Sequence, residues 1–363
     1  MKTVSMEVEQ PNVIRPREYP LPQLGPDDGL LRVELIGICS SDVKILRGHM
    51  AAPYPIIMGH EILGTIEDIG ERAAKAYGVV KGDRVIVEAS VSCGHCYYCR
   101  TGNYRLCDFT IGYGTRTSSA VPPHLWGAYG QYMYLAPYSG VHKLSPKVPA
   151  EVGVQITTVT ANGIQWVRRL GGASVGDVVA VVGVGPQGLS SVAAAREAGA
   201  SLIVALGLTV DEDRMALARE MGAHSTINVD EMDPVAEVKR LTGGAMADVV
   251  VEVSGSPKGV NTAINLARKQ GTVVLAGLTG VGVSTGIPVD TLIFKEIRLQ
   301  GAFSKGTESV RAAISLVEAE KYPFHKLVTH RFPLSRAEEA LRCVGREVEG
   351  VNPIKVVLDP WAD

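Results

Sequence analysis

The sequence has no basic excess: 36 Lys and Arg stand against 38 Asp and Glu, a formal net charge of −2. That balance excludes a general nucleic-acid binder, which carries a basic surplus, and leaves room only for a local basic pocket. No apolar run is long enough to span a bilayer; a stretch such as Val178 to Val184 falls far short of the ~20 residues required. The first residues, Met1-Lys2-Thr3-Val4-Ser5-Met6-Glu7, lack the apolar core of a secretory signal. Internal repeats and low-complexity tracts are also missing. These absences lead us to expect a soluble, cytoplasmic protein whose partners are neither membranes nor nucleic acids.

The residues that are present point to a folded, two-part chain. Hydrophobic residues make up 46% of the 363 residues and charged residues 20%, enough apolar material for large cores and too much for global disorder. Up to about Ala89 the chain reads as short Val- and Ile-rich strands broken by turns, for example Leu31 to Ile38 and Arg84 to Glu88. From about Gly163 the pattern changes. Strands are expected at Val178 to Val182, Leu202 to Leu206, Asp248 to Val253 and Thr272 to Ala276. Helices are expected between them at Gly188 to Ala198, Asp211 to Met221 and Val260 to Arg268. Thr209 and Glu212 have the spacing of a capping box. Strands alternating with helices imply an α/β unit with a parallel sheet covered on both faces. After Leu299, helices at Ser309 to Glu320 and Ser335 to Cys343 and a last strand at Ile354 to Leu358 form a return segment.

Gly183-Val184-Gly185-Pro186-Gln187-Gly188 follows one expected strand and opens the next helix. In that setting the first glycine permits a tight turn, the second a close approach of backbone to a pyrophosphate, and the third close packing of helix on strand. The helix start offers free N–H groups to phosphate. The alternative is a glycine-rich turn with no ligand. The second strand of such a unit normally ends in an acid that binds the ribose of NAD. Here that place is Gly207, the nearest acid is Asp211 and the nearest Arg is Arg214, so NAD and NADP both remain open.

Four of the six cysteines, Cys93, Cys96, Cys99 and Cys107, fall within fifteen residues. In a cytosolic chain such clustering reads as metal ligation rather than disulfides, and an all-thiolate set suits a closed structural zinc site. The alternatives are four free thiols, an oxidation liability, or an iron–sulfur cluster, which fits hydride chemistry poorly. A second constellation joins Cys39-Ser40-Ser41-Asp42 to Gly59-His60-Glu61. Cys39 and His60 are chemically suited to zinc, and Ser41 is placed to pass a proton from an alcohol. Taken singly, a buried Cys or His is more often structural.

Together, Cys39, Gly59-His60-Glu61, the four-cysteine lobe and Gly183 to Gly188 resemble, in order and spacing, the zinc-containing medium-chain dehydrogenases. The resemblance covers essentially the whole chain. It implies a GroES-like β-barrel catalytic domain at 1–157, a Rossmann doubly wound domain binding NAD(P) at 158–299, and a return to the catalytic domain at 300–363. It implies oxidation of an alcohol or polyol, or reduction of the matching carbonyl compound, with Zn2+ and NAD or NADP as cofactors. Cys39 and His60 take the place of catalytic zinc ligands, Ser41 of the proton relay, Glu61 of an exchanging carboxylate, Asp42 of its support. Lys355 falls where a basic residue often meets the cofactor pyrophosphate; a surface lysine is the alternative. A homodimer or homotetramer is implied, with Val289 to Leu299 at the interface.

Three departures stand out. Lys44 occupies the place of an outer His relay, with His49 nearby. Gly207 replaces the usual acid. Thr158 stands where the remaining zinc ligand is normally a Cys or carboxylate, and a neutral hydroxyl is a poor ligand. Zinc held by Cys39, His60 and Glu61 is therefore expected, and a zinc-free reductase of the same fold is the alternative; a cofactor-binding protein without activity is a third reading. Ala89 suggests a roomy pocket, with Trp126, Tyr129 and Tyr132 either lining it or serving as core aromatics.

Overall fold

The computed structural model describes residues 2–280 and 282–362. The chain divides into two units, Met1–Thr158 with Val317–Ala319 and Phe324–Asp363, and Val159–Leu316 with Glu320–Pro323. The return to the first unit thus comes later than residue 300. The Arg298–Gly301 strand completes the sheet of the second unit, and most of the Thr307–Glu318 helix goes with it.

The first unit is built around the Gly29–Ile38 strand, which bonds to three others: Glu61–Ile69, Tyr132–Leu135 and Lys355–Asp359, all antiparallel. The last of these pairs in parallel with Val328–Pro333. Inward residues of these strands and of Arg84–Val87, which pairs with Glu61–Ile69, form one apolar cluster that includes Val33, Ile36, Ile62, Ile66, Val85, Val87 and Leu358. Two registers position the site residues of this unit. Gly37 lies opposite Glu61, and Ile38 lies opposite Val356.

The second unit holds a six-stranded parallel sheet. With its strands numbered along the chain (178–182, 202–207, 225–228, 247–252, 267–275, 298–301), their spatial order is 3-2-1-4-5-6. That is the doubly wound arrangement, whose ligand crevice opens at the carboxyl ends of strands 1 and 4. Val178–Val182 reads Val-Val-Ala-Val-Val, a continuous apolar run suited to a strand covered on both faces. Val182, Val204, Leu206, Val250 and Val273 are buried in the same cluster.

The expected elements are present, with shifted ends and one wrong cap. The helix expected to reach Arg268 stops at Leu266, because Ala267 turns extended and pairs with Ala247. The Thr209–Glu212 capping box does not form. The Thr209 N–H, which Glu212 would have to accept, donates to Asp230 Oδ2 at 2.9 Å, and the Thr209 hydroxyl is held by Asn228.

Candidate active site

In the first unit the strand register assembles the site. Cys39 directly follows the Gly29–Ile38 strand, and Glu61 opens the strand paired to it. Gly59, at φ +94°, makes the turn that delivers His60. Cys39, His60 and Glu61 each offer a ligand atom, and the three atoms lie within 4.8 Å of one another. One thiolate, one imidazole and one carboxylate at that spacing fit zinc, with metal–ligand bonds of about 2.0–2.3 Å.

The surrounding groups fix these donors. His60 Nδ1 is 3.2 Å from Asp42 Oδ1, which leaves Nε2 facing the other donors. Asp42 is fully buried and its other oxygen accepts from Cys39 N at 2.9 Å and from the Tyr129 hydroxyl at 3.3 Å. Ser41 Oγ lies 3.5 Å from His60 Nε2. Burial alone would depress the imidazole's pKa; the Asp42 carboxylate outweighs it and holds His60 well above its usual value. Burial likewise raises the Cys39 thiol, yet its hydrogen bond to His60 and that residue's charge bring it below normal. The thiolate is the form that binds metal, and the imidazole would have to shed its extra proton to join it.

One residue of this site, and one contact, escaped the sequence reading. The residue is Gly37: a Cβ there would sit 2.0 Å from Glu61 Oε2, so only glycine lets the carboxylate lie over the strand. An isolated glycine inside an apolar strand is the signal that marks such a close approach. The contact is that of Tyr129, which is a core aromatic rather than a pocket-lining one, as its full burial shows, and which also hydrogen-bonds Asp42. Trp126 and Tyr132 are packing residues, edge-on to Tyr134 and Trp361.

Lys355 requires a correction. Its side chain is 4% exposed, and its ammonium donates to Ile38 O at 2.9 Å and Glu61 Oε1 at 2.6 Å. The pairing of the last strand with Gly29–Ile38 turns it inward, where it partners Glu61 rather than a cofactor phosphate. Asp211 does not reach toward a ribose either. It is buried within its own turn, with Arg214 Nη1 on Oδ1 at 3.1 Å.

The cysteine lobe is preformed. Cys93, Cys96, Cys99 and Cys107 place their sulfurs within 4.8 Å of one another, with Cys96–Cys99 at 3.5 Å and Cys93–Cys99 at 3.9 Å. Sulfurs on a tetrahedral zinc stand about 3.8 Å apart. Gly94 and Gly102, at φ +76° and +77°, turn the chain around this point. Amide N–H groups of His95 and Cys96 point at Cys93 Sγ and lower its pKa to about 6. Burial and the contact with Cys96 raise that of Cys99 to about 11.

In the second unit, Gly183 to Gly188 occupies the crevice end of the first sheet strand. Gly183 has φ +106°, and a Cβ on Gly188 would stand 1.9 Å from Gly183 O, so both are required by the backbone. Gly185 differs: a Cβ there meets no protein atom within 4 Å. It caps the Pro186–Glu197 helix, and no side chain caps the first-turn N–H groups. An open, donor-lined cradle of this kind fits a pyrophosphate. Gly185→Val is therefore expected to weaken dinucleotide binding at least about tenfold, as steric exclusion from a preformed cradle costs more than about 1.4 kcal/mol, while leaving the thermal midpoint unchanged. Fluorescence titration and a melt of the same variant check both halves.

Comparison with known proteins gives consistent matches. The family described as "Alcohol dehydrogenase GroES-like domain" matches residues 25–146, and the family described as "Zinc-binding dehydrogenase" matches residues 186–319. The chain is 41% identical to the Mycobacterium tuberculosis protein named "Probable alcohol dehydrogenase adh", over 98% of each chain. It is 33% identical to an erythritol/L-threitol dehydrogenase of Mycolicibacterium smegmatis, over 96% of this chain and 95% of that one. A crystal structure of an alcohol dehydrogenase from Thermotoga maritima superposes with a TM-score of 0.90 at 27% identity, covering 99% of both chains.

Proposed function

Because this chain belongs to the zinc-containing medium-chain dehydrogenase/reductase family, we propose that Cys39, His60 and Glu61 hold a catalytic zinc at which a small alcohol or polyol is oxidised. The protein is an NAD(P)-dependent oxidoreductase acting on CH–OH groups, with Zn2+ and NAD(P) as cofactors. The observation that carries the proposed site is the convergence of the three donors, with Asp42 fixing the imidazole from behind.

When bound, the zinc supplies Lewis-acid polarisation of the substrate hydroxyl and the nicotinamide supplies the hydride acceptor. The chain's own groups do the rest. Asp42 keeps a proton on His60 Nδ1, so that Nε2 is the donor atom. Ser41 Oγ, close to that nitrogen, would relay the alcohol's proton, accepting it as its own hydroxyl proton passes to solvent water. Lys355 competes for Glu61, both of whose oxygens lie near its ammonium. Zinc is thus held less tightly here than in the cysteine lobe, where we place the structural ion on Cys93, Cys96, Cys99 and Cys107. Alcohol turnover by zinc-replete protein against the same protein stripped of its weaker metal tests the reading.

We further propose a homo-oligomer joined through the Val289–Lys295 helix and the neighbouring edge strand Arg298–Gly301. On that helix Val289, Ile293 and Phe294 are 57%, 62% and 80% exposed. An unpaired sheet edge beside an apolar helix is a surface that soluble proteins normally cover. Phe294→Asp is expected to shift sedimentation at micromolar concentration toward monomer. A wild type that is already monomeric there contradicts the interface.

Among the described residues no helix is long and apolar enough to cross a membrane.

A further inference from the structure

The end of the second sheet strand, where a dinucleotide's adenosine ribose is read, is unusual in this chain. Gly207 cannot be replaced by an acid without rearrangement: a Cβ there would stand 2.8 Å from Val184 Cγ2 and 3.1 Å from Met215 Cγ. The two backbone N–H groups that follow already have anionic partners. Leu208 N donates to Asp211 Oδ2 at 3.3 Å and Thr209 N donates to Asp230 Oδ2 at 2.9 Å. The Thr209 hydroxyl is held by Asn228 Nδ2 at 3.0 Å. The nearest guanidinium, Arg214, is buried against Asp211.

We propose that Asp230, delivered from the turn after the third sheet strand, replaces the missing acid of the second strand and makes this site select NAD(H) over NADP(H). The proposal rests on the reading of Gly183 to Gly188 as the pyrophosphate cradle. A 2′-phosphate needs N–H donors and a cation. Here it meets the Asp230 carboxylate, which it must displace to reach Thr209 N, and the guanidinium of Arg214 is already engaged by Asp211. A ribose diol has the opposite requirement, because its hydroxyls donate, and Asp230 is an exposed acceptor. Gly207 alone, read from the sequence, is neutral between the cofactors; the fold supplies the acid from another strand.

The test is calorimetric titration of the full-length, zinc-replete protein with NAD+ and with NADP+. The wild type is expected to bind NAD+ at least about tenfold tighter, since one exposed, uncompensated carboxylate beside the phosphate contributes about tenfold at surface dielectric. Asp230→Asn is expected to narrow that ratio about tenfold by strengthening NADP+ binding, and Asp230→Arg to narrow it further. Asp230 is exposed, so both variants should melt like the wild type. Equal or tighter binding of NADP+ by the wild type, or a ratio unchanged in both variants, overturns the proposal alone. Failure of the wild type to bind either dinucleotide overturns the cradle as well.

Discussion

Glu61→Gln is expected to remove zinc from the Cys39–His60 site and to lower alcohol turnover by about a hundredfold or more, on the scale of losing a metal-site carboxylate. The amide keeps the shape of the side chain and loses its charge. Two effects then have to be separated, because Glu61 is also the partner of Lys355, whose ammonium is almost wholly buried. Breaking a buried ion pair by removing one member costs about 3–5 kcal/mol, since the other charge is left uncompensated. The single variant should therefore melt lower as well as lose metal. Adding Lys355→Met removes the stranded charge and should restore much of the stability. It should restore neither zinc nor turnover if Glu61 is a ligand. Recovery of both in the double variant would mean that Glu61 acts only by neutralising Lys355. Zinc content, melting temperature and turnover measured on the same three proteins decide the matter.

The second large effect lies in the cysteine lobe. Cys96→Ser is expected to lower zinc content by about one ion per chain and the apparent melting temperature by about 10 °C. The four sulfurs are the only closed, all-thiolate donor set among the described residues. The segment between Cys93 and Cys107 has little regular structure of its own: one helix of four residues and a single 3-10 turn. Its packing otherwise depends on a few contacts, such as the Tyr104 hydroxyl on Glu88 Oε2 at 2.6 Å. In such a segment the binding energy of the metal is largely the folding energy of the loop. A net loss of about 3 kcal/mol corresponds to the shift stated, at about 2–4 °C per kcal/mol for units of this size. Turnover at low temperature should persist, because none of the Cys39 site ligands comes from the lobe. Zinc content equal to the wild type would refute the assignment.

Much of this site was legible because its signals are local. Gly183 and Gly188 are separated by one turn, and their spacing follows from a backbone clash that any side chain at Gly188 would create. The cysteine spacing is likewise short-range, and the four sulfurs meet without help from distant strands. Cys39 and His60 were legible as donors suited to zinc, but their joint role was implied by the family resemblance, since their meeting with Glu61 depends on the register that sets Gly37 opposite Glu61. The features that stayed hidden depend on long-range pairing. Lys355 reaches Glu61 across 294 residues because the last strand returns beside Gly29–Ile38. No local pattern distinguishes that lysine from one on the surface. Asp230 meets Thr209 only because two parallel strands lie side by side. The failed capping box at Thr209 has the same cause. The spacing was adequate, and Asp230, from the turn after the neighbouring strand, took the Thr209 N–H.

The catalytic-site assignment is tested most directly by zinc stoichiometry at full turnover. Protein reconstituted with zinc is dialysed against a chelator graded in strength, and bound metal and alcohol oxidation are followed together. Two zinc ions per chain are expected at full activity, the weaker leaving first and turnover falling in proportion to it. Undiminished turnover with one ion per chain, all of it held by the cysteine lobe, would contradict a catalytic zinc on Cys39, His60 and Glu61.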